Sequence, residues 1–164
     1  RIVSVQVRQS SRERPMNALF VLLLCCAIAH GLKILPDESD SEGWHALGCS
    51  LSSQGRAKEA VDAFKVALVA NPSNVESMKQ IGAAYGALGE YASEKQYYRA
   101  ALSLHPEDAA AHLSLGVCHS STGEGAKAET AWRRAAELAP KDARPALYLG
   151  RLMAQLTRPA ESVA

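Results

Sequence analysis

The chain has 164 residues, with 18 Lys or Arg against 17 Asp or Glu and a formal net charge of +1. That length supports one domain with a real core, and the charge balance excludes the clustered basic field that nucleic acid requires. The four cysteines, Cys25, Cys26, Cys49 and Cys118, form no C-x-x-C pair and are too few for a disulfide framework, so no metal site or cofactor is expected.

Residues 1–15 read as a disordered or mispredicted leader, and residues 16–36 as one apolar helix. Ala18 to Ala29 is an unbroken apolar run of twelve residues, short for a bilayer span. It suits the core of a secretory signal or anchor, with Arg8, Arg12 and Arg14 before it and Ala27-Ile28-Ala29 as a small-x-small cleavage site. Met16 would then be the natural start. A helix packed on the following segment as a cap is the competing reading, because "AHGLKILPDESD" resembles the end of a repeat helix. Both stay open, and so does localisation: cytoplasmic, or secreted or membrane-anchored through residues 16–35. The chain begins with Arg1 and its helical pattern runs into the last residues, so it reads as part of a longer product.

From Ser41 the sequence repeats every 34 residues: 41–74, 75–108, 109–142 and a partial copy at 143–164. Gly48, Gly82, Gly116 and Gly150 recur mid-helix, where glycine weakens a helix, and so mark close approach by a neighbour. Gly55, Gly89 and Gly123 fall where a first helix ends, the place for a left-handed cap. Phe64, Tyr98 and Trp132 supply one ring per second helix. Pro72, Pro106 and Pro140 stop that helix, and Asp40, Asn74, Asp108 and Asp142 cap the next one. The pattern predicts helices over Ser41–Ser53, Ala57–Ala70, Val75–Leu88, Tyr91–Leu104, Ala109–Thr122 and Gly125–Ala139. One such pair cannot bury its apolar face alone, so neighbours must stack.

On Trp44, Leu47, Gly48, Ala60, Phe64, Ala67 and Pro72, with their counterparts in the later copies, the chain resembles the tetratricopeptide repeat family. The resemblance covers about residues 41–164. It implies an all-α fold, a right-handed α-solenoid of antiparallel helix pairs with three complete units and a partial fourth. There are departures from the pattern. Glu94 takes the small-residue column of Ala60 and Ala128, so either that contact is looser or, as expected here, its carboxylate snorkels outward. His119 replaces the ring of Tyr85 and His112 that of Trp44, both as half-buried packing residues. Thr157 stands where a cap glycine would, with Pro159 in the first turn of a last helix.

Sequence motifs for catalysis are absent: there is no Gly-rich phosphate loop, no H-E-x-x-H and no G-x-S-x-G. Cys118 and His119 are adjacent, point apart on a helix and cannot form a nucleophile–base pair locally. The chain is therefore read as a non-enzyme. The resemblance implies a concave groove lined by first-helix positions: Glu42, His45, Cys49 and Ser52, then Glu76, Lys79, Gln80 and Ala83. Leu113, Ser114, Val117 and Ser120 follow, then Arg144, Leu147, Tyr148 and Arg151. A peptide or helix docked there would contact Leu113, Val117 and Leu147, and an acidic group would seek Arg144 and Arg151 on either side of Tyr148. The carboxylate clamp of chaperone-binding relatives needs Lys, Asn, Asn and a basic pair. Neither His45, Cys49, Gln80, Ala110 and Ser114 nor Lys79, Ala83, Ser114, Arg144 and Tyr148 supplies it. The expected function is a scaffold that binds a protein or peptide. The alternatives are the non-catalytic arm of a truncated enzyme, such as a glycosyltransferase carrying repeats, and an envelope-associated assembly factor.

Overall fold

A computed structural model describes Pro36 and residues 39–157. The chain divides into two compact units, 1–35 and 36–164, and all described residues belong to the second. The leader, the apolar helix expected over 16–35 and the segment around Pro159 lie outside them.

Seven α-helices follow one another: α1 Ser41–Ser53, α2 Ala57–Ala70, α3 Val75–Ala87, α4 Tyr91–Leu104, α5 Ala109–Ser121, α6 Gly125–Leu138 and α7 Ala143–Thr157. No strand occurs among the described residues. Leu88, Thr122 and Ala139, expected as last helical residues, are instead the C-caps of α3, α5 and α6. Helices pack as antiparallel pairs, α1 on α2, α3 on α4 and α5 on α6, and each pair then packs on the next, so the fold is an all-α solenoid.

Local chemistry explains the punctuation. Gly55, Gly89 and Gly123 each adopt φ of 75°, and in each turn two N–H groups close back on the helix. Gly55 N–H donates to Ser52 O at 3.0 Å and Arg56 N–H to Leu51 O at 3.0 Å, a Schellman cap repeated after α3 and α5. Side-chain oxygens of Asp40, Asn74 and Asp108 accept from the backbone N–H three residues on, Gly43, Ser77 and Ala111. Asp142 differs because that position is Pro145, which has no N–H. Its carboxylate accepts instead from Arg144 N–H at 3.0 Å and turns to the Arg144 guanidinium, with Nη2 to Oδ2 at 2.7 Å.

The core is built by rings laid against glycines. A Cβ on Gly48 would lie 2.5 Å from Phe64, and one on Gly116 2.5 Å from the indole of Trp132, whereas one on Gly82 would lie 3.0 Å from Tyr98. At Gly150 nothing stands within 4 Å among the described residues, so the close approach expected in the fourth copy is not found there.

Glu94 overturns the expectation that it snorkels. It is only 7% exposed, and its carboxyl carbon would lie 2.9 Å from a Cβ on Gly86. Gly86 stands where Ser52 and Ser120 stand in the other copies, and the missing side chain makes the room. Burial pushes the Glu94 carboxyl up. Burial, and then its hydrogen bond to Glu94, push the Cys118 thiol up to about 12.

Candidate functional site

First helices α1, α3, α5 and α7 build one face of the solenoid, and each carries the expected groove residues at the same helical positions. Residues 45, 79, 113 and 147 form one column, and it turns toward the next first helix rather than into open space. His45 Nδ1 lies 2.8 Å from Ser77 Oγ on α3. Lys79 Nζ lies 2.9 Å from Asp108, the cap of α5, and 2.9 Å from Glu76. Burial alone would raise the Asp108 pKa, but that ammonium and the Ala111 N–H together hold it below its ordinary value. Leu113 is 7% exposed in a cluster with Trp132, Ala135 and Leu152. Leu113 was expected as a docking contact; it is a core residue, and that expectation is corrected. Leu147 is 56% exposed, with no later first helix among the described residues to cover it.

The neighbouring columns face outward. Glu42 and Cys49 are exposed, with Cys49 Sγ 3.5 Å from His45 Nε2. Gln80 is half-buried and its amide donates to Glu76 Oε1 at 3.0 Å. Ser114 and Val117 are half-buried, and Ser114 shares a hydrogen bond with the Tyr98 hydroxyl.

At the C-terminal end of this face a cleft of about 200 Å³ opens between α5 and α7, lined among others by Val117, Ser120, Trp132, Tyr148, Arg151 and Gln155. Its aromatic wall is a stacked pair: Trp132 and Tyr148 lie 5.1 Å apart with 15° between their planes. Trp132 Nε1 donates to Leu113 O at 3.2 Å, which fixes the indole from behind. The two arginines expected to flank Tyr148 behave differently. Arg144 is engaged by the Asp142 carboxylate, which that contact holds below its ordinary pKa. Arg151 is exposed, borders the cleft and has no ion-pair partner among the described residues. Tyr148 is occupied on one face by Trp132, so its role as a ring between two cations is reduced to a ring beside one. Trp132 was expected only as the ring of its second helix. No repeat-column argument exposes it, because its part in the cleft comes from where α7 lands on α6.

No group of three His, Cys, Asp or Glu side chains among the described residues is placed to hold a metal ion, and no helix among them is long and apolar enough to cross a membrane. His119, expected to be half-buried, is buried, and Nδ1 has no hydrogen-bond partner among the described residues, with a carboxylate oxygen of Glu124 at 3.5 Å. Burial lowers its pKa. Glu124 itself gathers Lys127, Lys95 and Thr122, which hold it well below the usual carboxylate range.

Tetratricopeptide repeat family models match residues 45–102 and 87–156. The chain belongs to the tetratricopeptide repeat family. Solved tetratricopeptide structures superpose on it. The first such domain of Spaghetti (RPAP3), bound to an HSP90 peptide, has 21% identity over 77% of this chain and 100% of that one, with a TM-score of 0.70. MamA has 22% identity over 73% and 70%, with a TM-score of 0.70. The Yersinia enterocolitica type III secretion chaperone SycD, in complex with a peptide of the translocator YopD, has 19% identity over 70% and 93%, with a TM-score of 0.66. Identities at this level establish the fold and not the ligand. No curated protein matches the chain in sequence.

Proposed function

We propose that this tetratricopeptide repeat protein is a non-catalytic scaffold that holds a peptide or helix in the groove of its first helices. The supporting observation is the cleft between α5 and α7, where Arg151, without an ion-pair partner among the described residues, stands beside a fixed aromatic wall and the apolar Val117. A cation next to an apolar slot favours a segment with an acidic group flanked by an apolar side chain. Two of the similar structures hold peptides, which agrees with a scaffold of this kind. A carboxylate clamp gains no support: Lys79 is engaged by Glu76 and Asp108, and Arg144 by Asp142.

The test is a peptide selected from a displayed random library against the full chain, with affinity then read by fluorescence anisotropy. Arg151→Glu and Val117→Asp should each weaken it about tenfold or more, the equivalent of roughly 1.4 kcal/mol. Glu42→Lys, at the far end of the face, should leave it nearly unchanged. Selected peptides indifferent to both cleft variants would contradict the assignment.

A further inference from the structure

The repeat makes a second surface readable, because the groove between one pair of second helices can be compared with its counterpart one copy later. Between α2 and α4 the space is filled. Tyr85 and Tyr97 stack with ring centroids 5.7 Å apart, and Lys65 donates to the Tyr85 hydroxyl at 2.8 Å. Thirty-four residues on, these three positions are His119, Ala131 and Arg99. One ring is replaced by a buried imidazole and the other by a methyl group. The result is an open groove of about 580 Å³ between α4 and α6, with α5 at its floor.

The lining is apolar below and basic above. The buried Leu115 and Ala131 form the floor, while the exposed Ala126, Arg99, Lys127 and Arg134, with the half-buried His112, stand around it, and no acidic side chain is among its lining residues. Arg99 is exposed and has no ion-pair partner among the described residues. Lys127 pairs with Glu124, the N-cap of α6, and Arg134 with Glu137 within it, and both cations remain exposed. They are seven residues apart on one helix, which places them on one face at about 10 Å separation. The groove is not the one described above. Leu115 and His119 each lie two residues from Val117, a rotation of about 160–200° around α5.

We propose that this outer groove binds a short acidic segment of another protein, an extended stretch with two carboxylates about three residues apart and an apolar side chain between them. Charge complementarity selects the carboxylates, the spacing of Lys127 and Arg134 matches about three residues of a polyproline-II stretch, whose side chains at i and i+3 share a face, and the floor takes the apolar side chain. The two surfaces can therefore hold two partners, or two segments of one.

The probe is a fluorescein-labelled nonapeptide of three Glu-Leu-Asp units, titrated with the full chain, with a Gln-Leu-Asn peptide as control. Arg99→Glu with Arg134→Glu should weaken binding about tenfold or more. His119→Tyr with Ala131→Tyr, which restores the side chains found one repeat earlier, should abolish it by refilling the groove. All titrations use the Arg151→Glu background, so that the cleft between α5 and α7 does not contribute, and the amide control should not bind. Should the refilled variant fail to fold by circular dichroism, the charge-reversal pair, both at exposed positions, decides alone. Absence of binding on that background, or binding that survives the charge reversal, would overturn the proposal. So would inorganic phosphate that binds where the peptide does not.

Discussion

Alanine at Gly48, Gly82, Gly116 and Gly150 is one substitution made four times at one column of the repeat, and its surroundings differ each time. In an open helix interior Gly→Ala stabilises by about 1 kcal/mol. At Gly116 the new Cβ would meet Trp132 Cδ1 and Nε1 at 2.5 Å. The indole cannot retreat without giving up its hydrogen bond to Leu113 O and its stack on Tyr148. Overpacking of this kind costs about 1–3 kcal/mol, so after the helix gain the variant should lose up to roughly 2 kcal/mol net. Gly48→Ala meets Phe64 at the same 2.5 Å and should lose a similar amount. Gly82→Ala meets Tyr98 at 3.0 Å, where gain and strain come close to cancelling. Gly150→Ala meets nothing among the described residues and should gain about 1 kcal/mol. Urea melts followed by circular dichroism give the order, with m-values compared because repeat arrays can lose two-state behaviour. Four equal shifts, or a more stable Gly116→Ala, would refute the ring-on-glycine account of the core.

Three further outcomes follow from the buried polar groups. Gly86→Ala should be nearly neutral or harmful in the native chain but stabilising by about 1 kcal/mol alongside Glu94→Ala, since the carboxylate then no longer fills the space; additive effects would contradict the packing of that pair. Burial depresses the His119 pKa in the folded state, so the unfolded chain binds more protons as pH falls through about 6.5 and stability is lost there. His119→Tyr should therefore gain on the parent in thermal melts between pH 7.5 and 5, and a constant difference would exclude that origin. Iodoacetamide at pH 8, followed by peptide mapping, should label the exposed Cys49 and spare Cys118, whose thiol is buried and pushed up to about 12. Equal labelling would show that α5 opens.

Helix positions were legible from the 34-residue spacing because the first helices start and end on residues with a mechanical task, such as the caps Asp40, Asn74 and Asp108 and the left-handed Gly55, Gly89 and Gly123. Facing was less legible. Leu113 and Ser114 are neighbours in sequence, and 100° of rotation decides that the first is core and the second half-exposed. The sequence pattern carries no sign of how far α7 leans on α6, so the stack of Trp132 on Tyr148 and the cleft beside it could not be read. Pairing was illegible for the same reason: Arg144 and Arg151 look equivalent until Pro145 removes an N–H and Asp142 turns to Arg144. The swap of Tyr85 and Tyr97 for His119 and Ala131 was visible column by column, but its consequence, an emptied groove, needs the packing of α4 against α6.

Chemical-shift mapping of the ¹⁵N-labelled full chain with a peptide from the displayed-library selection tests the central claim most directly. The account predicts perturbations concentrated at Ser114, Val117, Ser120, Tyr148 and Arg151, with the N-terminal end around Glu42 unmoved. Perturbations spread evenly along α1 to α7, or confined to α2, α4 and α6, would contradict it.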